Sequence, residues 1–203
     1  MNAPTDEQLL ADYLRGDEAA FELLVRRHVR ELHQFAMRFT NDAPAADDVV
    51  QDTLVQLHAS AEKFDPKRRF KPWLFTITAN KARDYLRRRT RRREVPIDAP
   101  TGSDKTGGQR FVELFETTSV APDEELLVEE KRRLVRQVIS EMPTKLSEVL
   151  ILAYYHRFPY RDIAGIVGAP LGTVKSRLHG AVAHFGERYK AAIDELERKE
   201  STS

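Results

Sequence analysis

The chain has 203 residues, 41% hydrophobic and 32% charged, which predicts a soluble globular protein of one or two domains with room for hydrophobic cores. No apolar run approaches the roughly 20 residues of a membrane helix, and "MNAPTDEQLL" lacks the basic start and apolar centre of a secretory signal. The absence of cysteine excludes disulfides, thiolate metal sites and cysteine nucleophiles and fits a reducing cytoplasm.

The net charge of +1 hides an asymmetry. Lys67 to Arg93 holds twelve basic residues against Asp84 alone, and the remainder carries a net −10. One surface is therefore expected to meet nucleic acid, and the others something else.

In chain order, nearly every periodic segment predicts helix, and no alternating strand stands out. Thr5 and Gln8 form a capping box before "LLADYL", and Gly16 supplies a stop. A second helix is expected over about Asp17–Phe39, with Phe21, Leu24, Val25, Leu32, Phe35 and Phe39 on one stripe. "NDAP" resets the chain, and a third helix over about 44–60 should bury Val49, Val50, Leu54 and Leu57. "FDPKRRFKP" predicts a loop, with Pro72 opening a fourth helix that continues to about Arg89. Residues 94–122 carry three prolines, three glycines and a mild acidic bias, the signature of a flexible linker with "FVELF" as its only apolar element.

A second helical set is expected from about Asp123 to Met142, ended by Pro143, and then over about 145–156. "YRDIAGIVG" and "LGTVKSRLHGAVAHF" flank "GAP" as two short helices, a helix-turn-helix pattern in which Gly168 permits a left-handed turn residue. Ile163, Ala164 and Val167 face inward from the first of these helices, and Val174, Leu178, Ala181, Val182 and Phe185 from the second. The opposite face of the second holds Gly172, Ser176, His179, Gly180 and Ala183, with Lys175 on the flank. A recognition helix reads base edges from its N-terminal turns, which points to Lys175, Ser176 and His179. An ordinary helical hairpin is the bland alternative. "RKESTS" is expected to fray.

On the helix from Pro72, Leu74, Ile77, Thr78, Ala82 and Tyr85 share an inward arc, while Thr76, Asn80, Arg83 and Arg87 point outward with Trp73 and Asp84 beside them. Amide and guanidinium groups can bond bases or phosphates, and an aromatic can wedge against an unstacked pair. Lys81 falls near the apolar arc and is expected to snorkel. Arg89 to Arg93 should run out of the helix as a general phosphate grip. A solvated basic face and a nuclear-localisation run are the competing readings.

With both helical sets in view, "DDVVQDTLVQL", "FKPWLFTITANKARDYLRRR", "MPTKLSEVLILAYY" and "YRDIAGIVGAPLGTVKSRLHGA" resemble, in order and spacing, the extracytoplasmic-function (group IV) sigma factors of the sigma-70 family. The resemblance implies an all-α protein of two helical domains joined by a flexible linker. Residues 1–93 would form sigma region 2, which binds core polymerase and recognises and melts the minus-ten element. Residues 94–122 would form an acidic linker through the polymerase's active-site and RNA-exit region, with an r.m.s. span of roughly 30 Å. Residues 123–190 would form the region 4 helix-turn-helix that reads the minus-thirty-five element, and 191–203 a tail.

The resemblance further assigns Asp48, Gln51 and Asp52 to the clamp of the polymerase's largest subunit. It assigns Trp73, Thr76, Asn80, Arg83, Arg87 and Arg88 to the minus-ten element and its melting, and Thr173, Lys175, Ser176, Arg177 and His179 to the minus-thirty-five element. It implies core RNA polymerase (clamp and second-subunit flap), promoter DNA and an anti-sigma factor as partners, a role in stress response, no membrane insertion, and a monomer when free. Gly180 stands where many relatives carry a basic residue, which places one outward contact in doubt. Pro159 replaces the usual small hydroxyl cap.

No enzyme, cofactor or metal site is expected. The six histidines lack ligand spacing, no Ser-His-Asp set or phosphate loop occurs, and Asp47, Asp48 and Asp52 lack an EF-hand frame. Two rivals remain: a stand-alone helix-turn-helix regulator, which would normally need a dimer interface, and a structural RNA-binding protein, which would leave the helix-turn-helix unexplained.

Overall fold

The structure, a computed structural model, describes residues 3–93 and 125–200; the linker over 94–122 lies outside the described residues. Every regular element among them is helical: α1 (Asp6–Leu14), α2 (Glu18–Thr40), α3 (Ala43–Ser60), a 3-10 turn (Ala61–Lys63), α4 (Phe70–Arg93), α5 (Glu125–Glu141), α6 (Thr144–Leu150) running into a π turn (Ile151–Tyr155), α7 (Tyr160–Val167) and α8 (Leu171–Glu200). No helix among the described residues is long and apolar enough to cross a membrane. They divide into two compact units, one holding residues 3–93 with 161–168 and the other holding the rest.

In the first unit the helix boundaries follow from local chemistry. Thr5 accepts from the Gln8 main chain while the Gln8 side chain accepts from Thr5 N–H, completing the capping box that starts α1. Gly16 adopts φ +104°, and Asp17 then caps α2 through Ala19 and Ala20 N–H. The corner between α2 and α3 takes two residues: Asn41 is left-handed at φ 51°, and Asp42 caps α3 through Ala45 N–H at 3.1 Å. Asn is among the few side chains that tolerate that conformation.

The α2 stripe buries Leu24, Leu32, Phe35 and Phe39, while Phe21 and Val25 are half-buried. Phe35 stacks on Phe39 at 5.5 Å and meets Phe75 of α4 edge-on at 5.7 Å, both favourable ring geometries. Val49, Val50 and Leu57 of α3 close the core with Leu74, Ile77 and Ala82 of α4; Leu54 is only half-buried.

α4 begins at Phe70, so Pro72 lies within its first turn instead of opening it. It also continues through Arg93, carrying along the arginines expected to leave the helix.

In the second unit α5 buries Leu134, Val135, Val138 and Ile139. The helix expected over 145–156 is α6 plus a π turn, closed by His156 N–H on Ile151 O at 3.3 Å. Arg157 then turns left-handed at φ 51°, letting Phe158 N–H reach Leu152 O at 3.1 Å, a helix end whose left-handed residue is normally glycine. Burial pushes the Tyr154 phenol above its ordinary value and Tyr160 adds to the shift, so Tyr154 stays a neutral donor well above neutral pH. Gly168, at φ +63°, is the left-handed residue following α7. Of the inner face expected for α8, Val174, Leu178, Ala181 and Phe185 are buried and Val182 is half-buried. The helix continues to Glu200, and the last three residues of "RKESTS" lie outside the described residues.

Gly180 corrects an expectation. It is half-buried, and a Cβ there would meet the Leu146 side chain of α6 at 3.9 Å, so the position faces the packed side of the unit. Phase alone points that sector of α8 outward, and the Leu146 side chain of α6 comes within reach of it. A contact at 3.9 Å is ordinary van der Waals distance, and glycine inside a helix costs entropy. Gly180→Ala should therefore raise the unfolding free energy by about 0.5–1 kcal/mol, measured by urea titration of the second unit's transition; a decrease would show that the Leu146 contact cannot yield.

Candidate nucleic-acid interface and docking face

The approach to α4 is a short rigid loop. Asp65 accepts from Lys67 N–H at 3.0 Å through its side chain and from Arg68 N–H at 2.9 Å through its carbonyl, an Asx turn ahead of the helix. The turn leaves Lys63, Lys67 and Arg68 exposed.

Behind it Phe64, Phe70 and Trp73 form a ring cluster, with centroids 5.0 Å apart for Phe64–Trp73 and 5.9 Å for Phe70–Trp73 and Phe64–Phe70. Phe70 is fully buried and Phe64 and Trp73 are half-buried. The indole is held from one side with its remainder accessible.

Along the outer line of α4, Asn80, Arg87 and Arg88 are exposed and Thr76 and Arg83 half-buried. The Thr76 hydroxyl donates to Pro72 O at 2.9 Å, leaving its methyl and oxygen lone pairs outward. Thr78, by contrast, is buried and bonds Leu74 O at 3.0 Å. Lys81 and Tyr85 are half-buried, as a snorkelling cation and an amphipathic ring at the edge of the core would be.

Acidic side chains meet several of these cations: Glu31 lies 2.7 Å from Lys71, Asp84 3.2 Å from Arg87 and Asp42 3.9 Å from Arg89. Exposed pairs of this kind contribute about 0–1 kcal/mol each and are screened by salt. A phosphate can displace them.

On α8, Gly172, Lys175, Ser176 and His179 are exposed, while Thr173 and Arg177 are half-buried. Ser176 Oγ donates to Thr173 O at 3.0 Å, so its lone pairs remain for a donor from outside. Lys175, Ser176 and His179 stand on one open face within the first three turns, the part of such a helix that reaches base edges.

A third surface lies on α3. Asp48, Gln51 and Asp52 are all exposed and follow i, i+3, i+4 spacing. Beside them a groove of about 510 Å³ runs between α2 and α3, lined by Val29, Arg30, His33, Asp47, Gln51 and Leu54 among others. His33 Nε2 lies 3.2 Å from Asp47 Oδ1 across it.

Sequence reasoning missed Val55, 63% exposed, and Val29, 36% exposed. The available signal was that each interrupts the polar side of its own helix. Val55 shares the exposed face of Asp48, Gln51 and Asp52, and Val29 lines the groove beside it. Among the described residues no cluster of His, Asp and Glu is arranged to hold a metal.

Two family models match: sigma-70 region 2 over residues 24–92 and sigma-70 region 4 over residues 132–185. The chain is 32% identical over 181 residues to the RNA polymerase sigma-H factor of Pseudomonas aeruginosa, covering 87% of this chain and 89% of that one. It is 32% identical over 179 residues to the ECF RNA polymerase sigma-E factor of Haemophilus influenzae, covering 87% and 91% respectively.

Among solved structures, CnrH in complex with the cytosolic domain of CnrY aligns with a TM-score of 0.66 at 26% identity, over 93% of this chain and 99% of that one. The sigma factor RpoE of Bartonella quintana, in complex with the anti-sigma factor NepR, aligns with a TM-score of 0.61 at 25% identity, over 84% and 96%.

The ring cluster makes a direct prediction. Trp73 is the chain's single tryptophan, so Phe64→Ala, by removing its nearest ring, should shift the protein's intrinsic fluorescence to longer wavelength. Unchanged emission would show that Phe64 does not shield the indole.

Proposed function

The chain belongs to the extracytoplasmic-function branch of the sigma-70 family, and from that premise we propose how its surfaces carry the work of an alternative RNA polymerase sigma factor. The observation that carries the reading is the half-exposed Trp73, backed by Phe64 and Phe70 at the head of a helix whose outer line continues through Thr76, Asn80, Arg87 and Arg88.

Residues 1–93 act as the unit that holds core polymerase and opens the minus-ten element. The acidic face of Asp48, Gln51 and Asp52, with Val55 at its centre, docks on the clamp of the largest subunit. Residues 123–190 act as the unit that reads the minus-thirty-five element through Thr173, Lys175, Ser176, Arg177 and His179, with the flap of the second subunit as its polymerase contact. Residues 94–122 link the two, and the helical end of α8 lies within the 191–203 tail.

In physical terms the basic segment supplies salt-dependent affinity for phosphates, and the two reading helices supply register. Opening the duplex costs a few kcal/mol per unpaired base. Capture of the displaced strand on an aromatic and cationic surface offsets that cost, since a stacked base is worth about 1–3 kcal/mol. Trp73 stands where the first opened base would otherwise restack, and Asn80 offers an amide to base edges beyond it. The chain itself performs no covalent step; the polymerase does.

An anti-sigma factor would silence the protein by covering the faces that bind polymerase. The setting is the cytoplasm, at the nucleoid when polymerase is engaged, and the inducing signal is a stress.

Two outcomes test this. Run-off transcription with core polymerase on a random promoter library should enrich a bipartite element with two spaced motifs; tight DNA binding without polymerase and no transcript with it would favour a stand-alone regulator. In that assay Trp73→Ala should cut open-complex formation about tenfold or more, the scale of one lost base stack, with polymerase binding intact. Asp48→Lys with Asp52→Lys should do the reverse, weakening polymerase binding and leaving opening unchanged once the complex is saturated.

A further inference from the structure

α4 cannot cap itself. The residues before it, Lys67, Arg68 and Arg69, are donors only, and its first turn contains no acidic side chain. Pro72 has no N–H to satisfy, but Phe70 does, at a point where the helix dipole is positive and the neighbouring side chains are cationic. The partner comes from 63 residues earlier: Glu7 Oε1 of α1 accepts the Phe70 N–H at 2.8 Å.

The residue beside it converges on the same place. Asp6 takes His28 Nε2 at 2.7 Å and Arg27 at 3.1 Å. The His28 ring, buried in the α2 stripe, packs on the Phe70 ring at 5.6 Å. Arg27 returns to the start of α1 through Pro4 O at 2.7 Å.

The two carboxylates of one helical turn thus hold Phe70 by its main chain and by its ring. Phe70 in turn backs Trp73 at 5.9 Å. α1 lies outside the stretch matched by the region 2 family model, which begins at residue 24.

We propose that Glu7 is a positioning residue for promoter opening: its carboxylate caps α4 from outside the helix and so sets where the Phe64–Phe70–Trp73 cluster presents the indole to DNA. The proposal rests on the reading of Trp73 given above. Glu7 itself touches no DNA. Its effect is transmitted through the Phe70 main chain, the first fixed point after the flexible cations of the loop. The demand is geometric, because a wedge displaced by a fraction of a base-stacking distance no longer competes with restacking.

Reach and charge separate in the variants. Glu7→Gln keeps a carbonyl oxygen at the same reach and loses the charge. Glu7→Asp keeps the charge and shortens the arm by one methylene, so it cannot span to Phe70 N–H. Glu7→Ala loses both.

The full-length variants are assembled with core polymerase and assayed on a duplex promoter and on the same promoter with the minus-ten region pre-opened by mismatches. Glu7→Ala and Glu7→Asp should lower opening of the duplex roughly tenfold, the upper end of the net worth of one neutral hydrogen bond. They should return to wild-type activity on the pre-opened template, bind polymerase normally and shift the Trp73 emission of the free protein. Glu7→Gln should match wild type in all four.

The reverse order, with Glu7→Asp normal and Glu7→Gln impaired, would overturn the proposal in favour of a charge effect. Equal losses on duplex and pre-opened templates, or unchanged emission and opening in Glu7→Ala, would also overturn it. Should Glu7→Ala not fold, the contrast of Glu7→Asp with Glu7→Gln decides alone. Trp73→Ala run in parallel separates the two levels: if it shows a duplex-specific loss while the Glu7 variants show none, only the strut fails. If Trp73→Ala shows no duplex-specific loss either, the opening role of this face fails, and the strut with it.

Discussion

The first unit depends on one constraint: α4 must be a pillar of the core and a polycation at the same time. Leu74, Phe75, Ile77, Thr78, Ala79 and Ala82 are buried along one side of it, while the same helix carries most of the twelve basic residues set against Asp84 between Lys67 and Arg93. Neighbouring arginines repel, and helix propensity alone would not hold so charged a segment. Burial of the apolar side does so, at roughly 25 cal/mol per Å² removed from water. From Trp73 to Arg83 the outer line is therefore held in place because its reverse is a core. A rigid array of cations and one indole is what melting a duplex needs, whereas a disordered basic tail would supply affinity without position.

The neutralisation of this helix is graded. At its head Glu31 meets Lys71 and Glu7 meets the Phe70 main chain, fixing the turn that carries Trp73. Further along, Asp84 touches Arg87 in a more open pair and Asp42 lies 3.9 Å from Arg89, contacts that a phosphate displaces at little cost. Structure is thus tied down where geometry matters, and charge is left exchangeable where only electrostatic attraction is required.

Much of this is legible in the sequence because it follows from local rules: the capping box at Thr5, the Gly16 stop, the α2 stripe and most of the inner face of α8 are set by residues within a few turns of each other. What was not legible is set by distant neighbours. The start of α4 was misjudged because Pro72 is a familiar helix opener, whereas the cap that decides the boundary sits on α1. Gly180 was placed outward by phase, and only Leu146 of α6 shows which side of that sector is packed. The breadth of the outer line was also overread: Asn80, Arg87 and Arg88 are exposed as expected, while Thr76 and Arg83 are partly covered. The grooved side of α2 and α3 could not be seen from either helix alone, since its walls come from both.

That groove also bears on how the acidic face of α3 should be understood. Asp48, Gln51 and Asp52 are residues that any solvated helix shows, and in isolation they argue for nothing. Val55 alters the balance, because it sits among them one turn on and is 63% exposed, while Val29 opens on the far wall of the groove at 36%. Apolar surface in water is unfavourable in proportion to its area, and a helix that needed only solubility would have a polar residue at either position. An exposed valine beside the Asp48, Gln51 and Asp52 side chains is instead compatible with a surface that a partner covers, the polar groups fixing orientation and the valine excluding water. α3 spends its other side on the core through Val49, Val50 and Leu57, so its exposed face is backed by the same packing that holds α4.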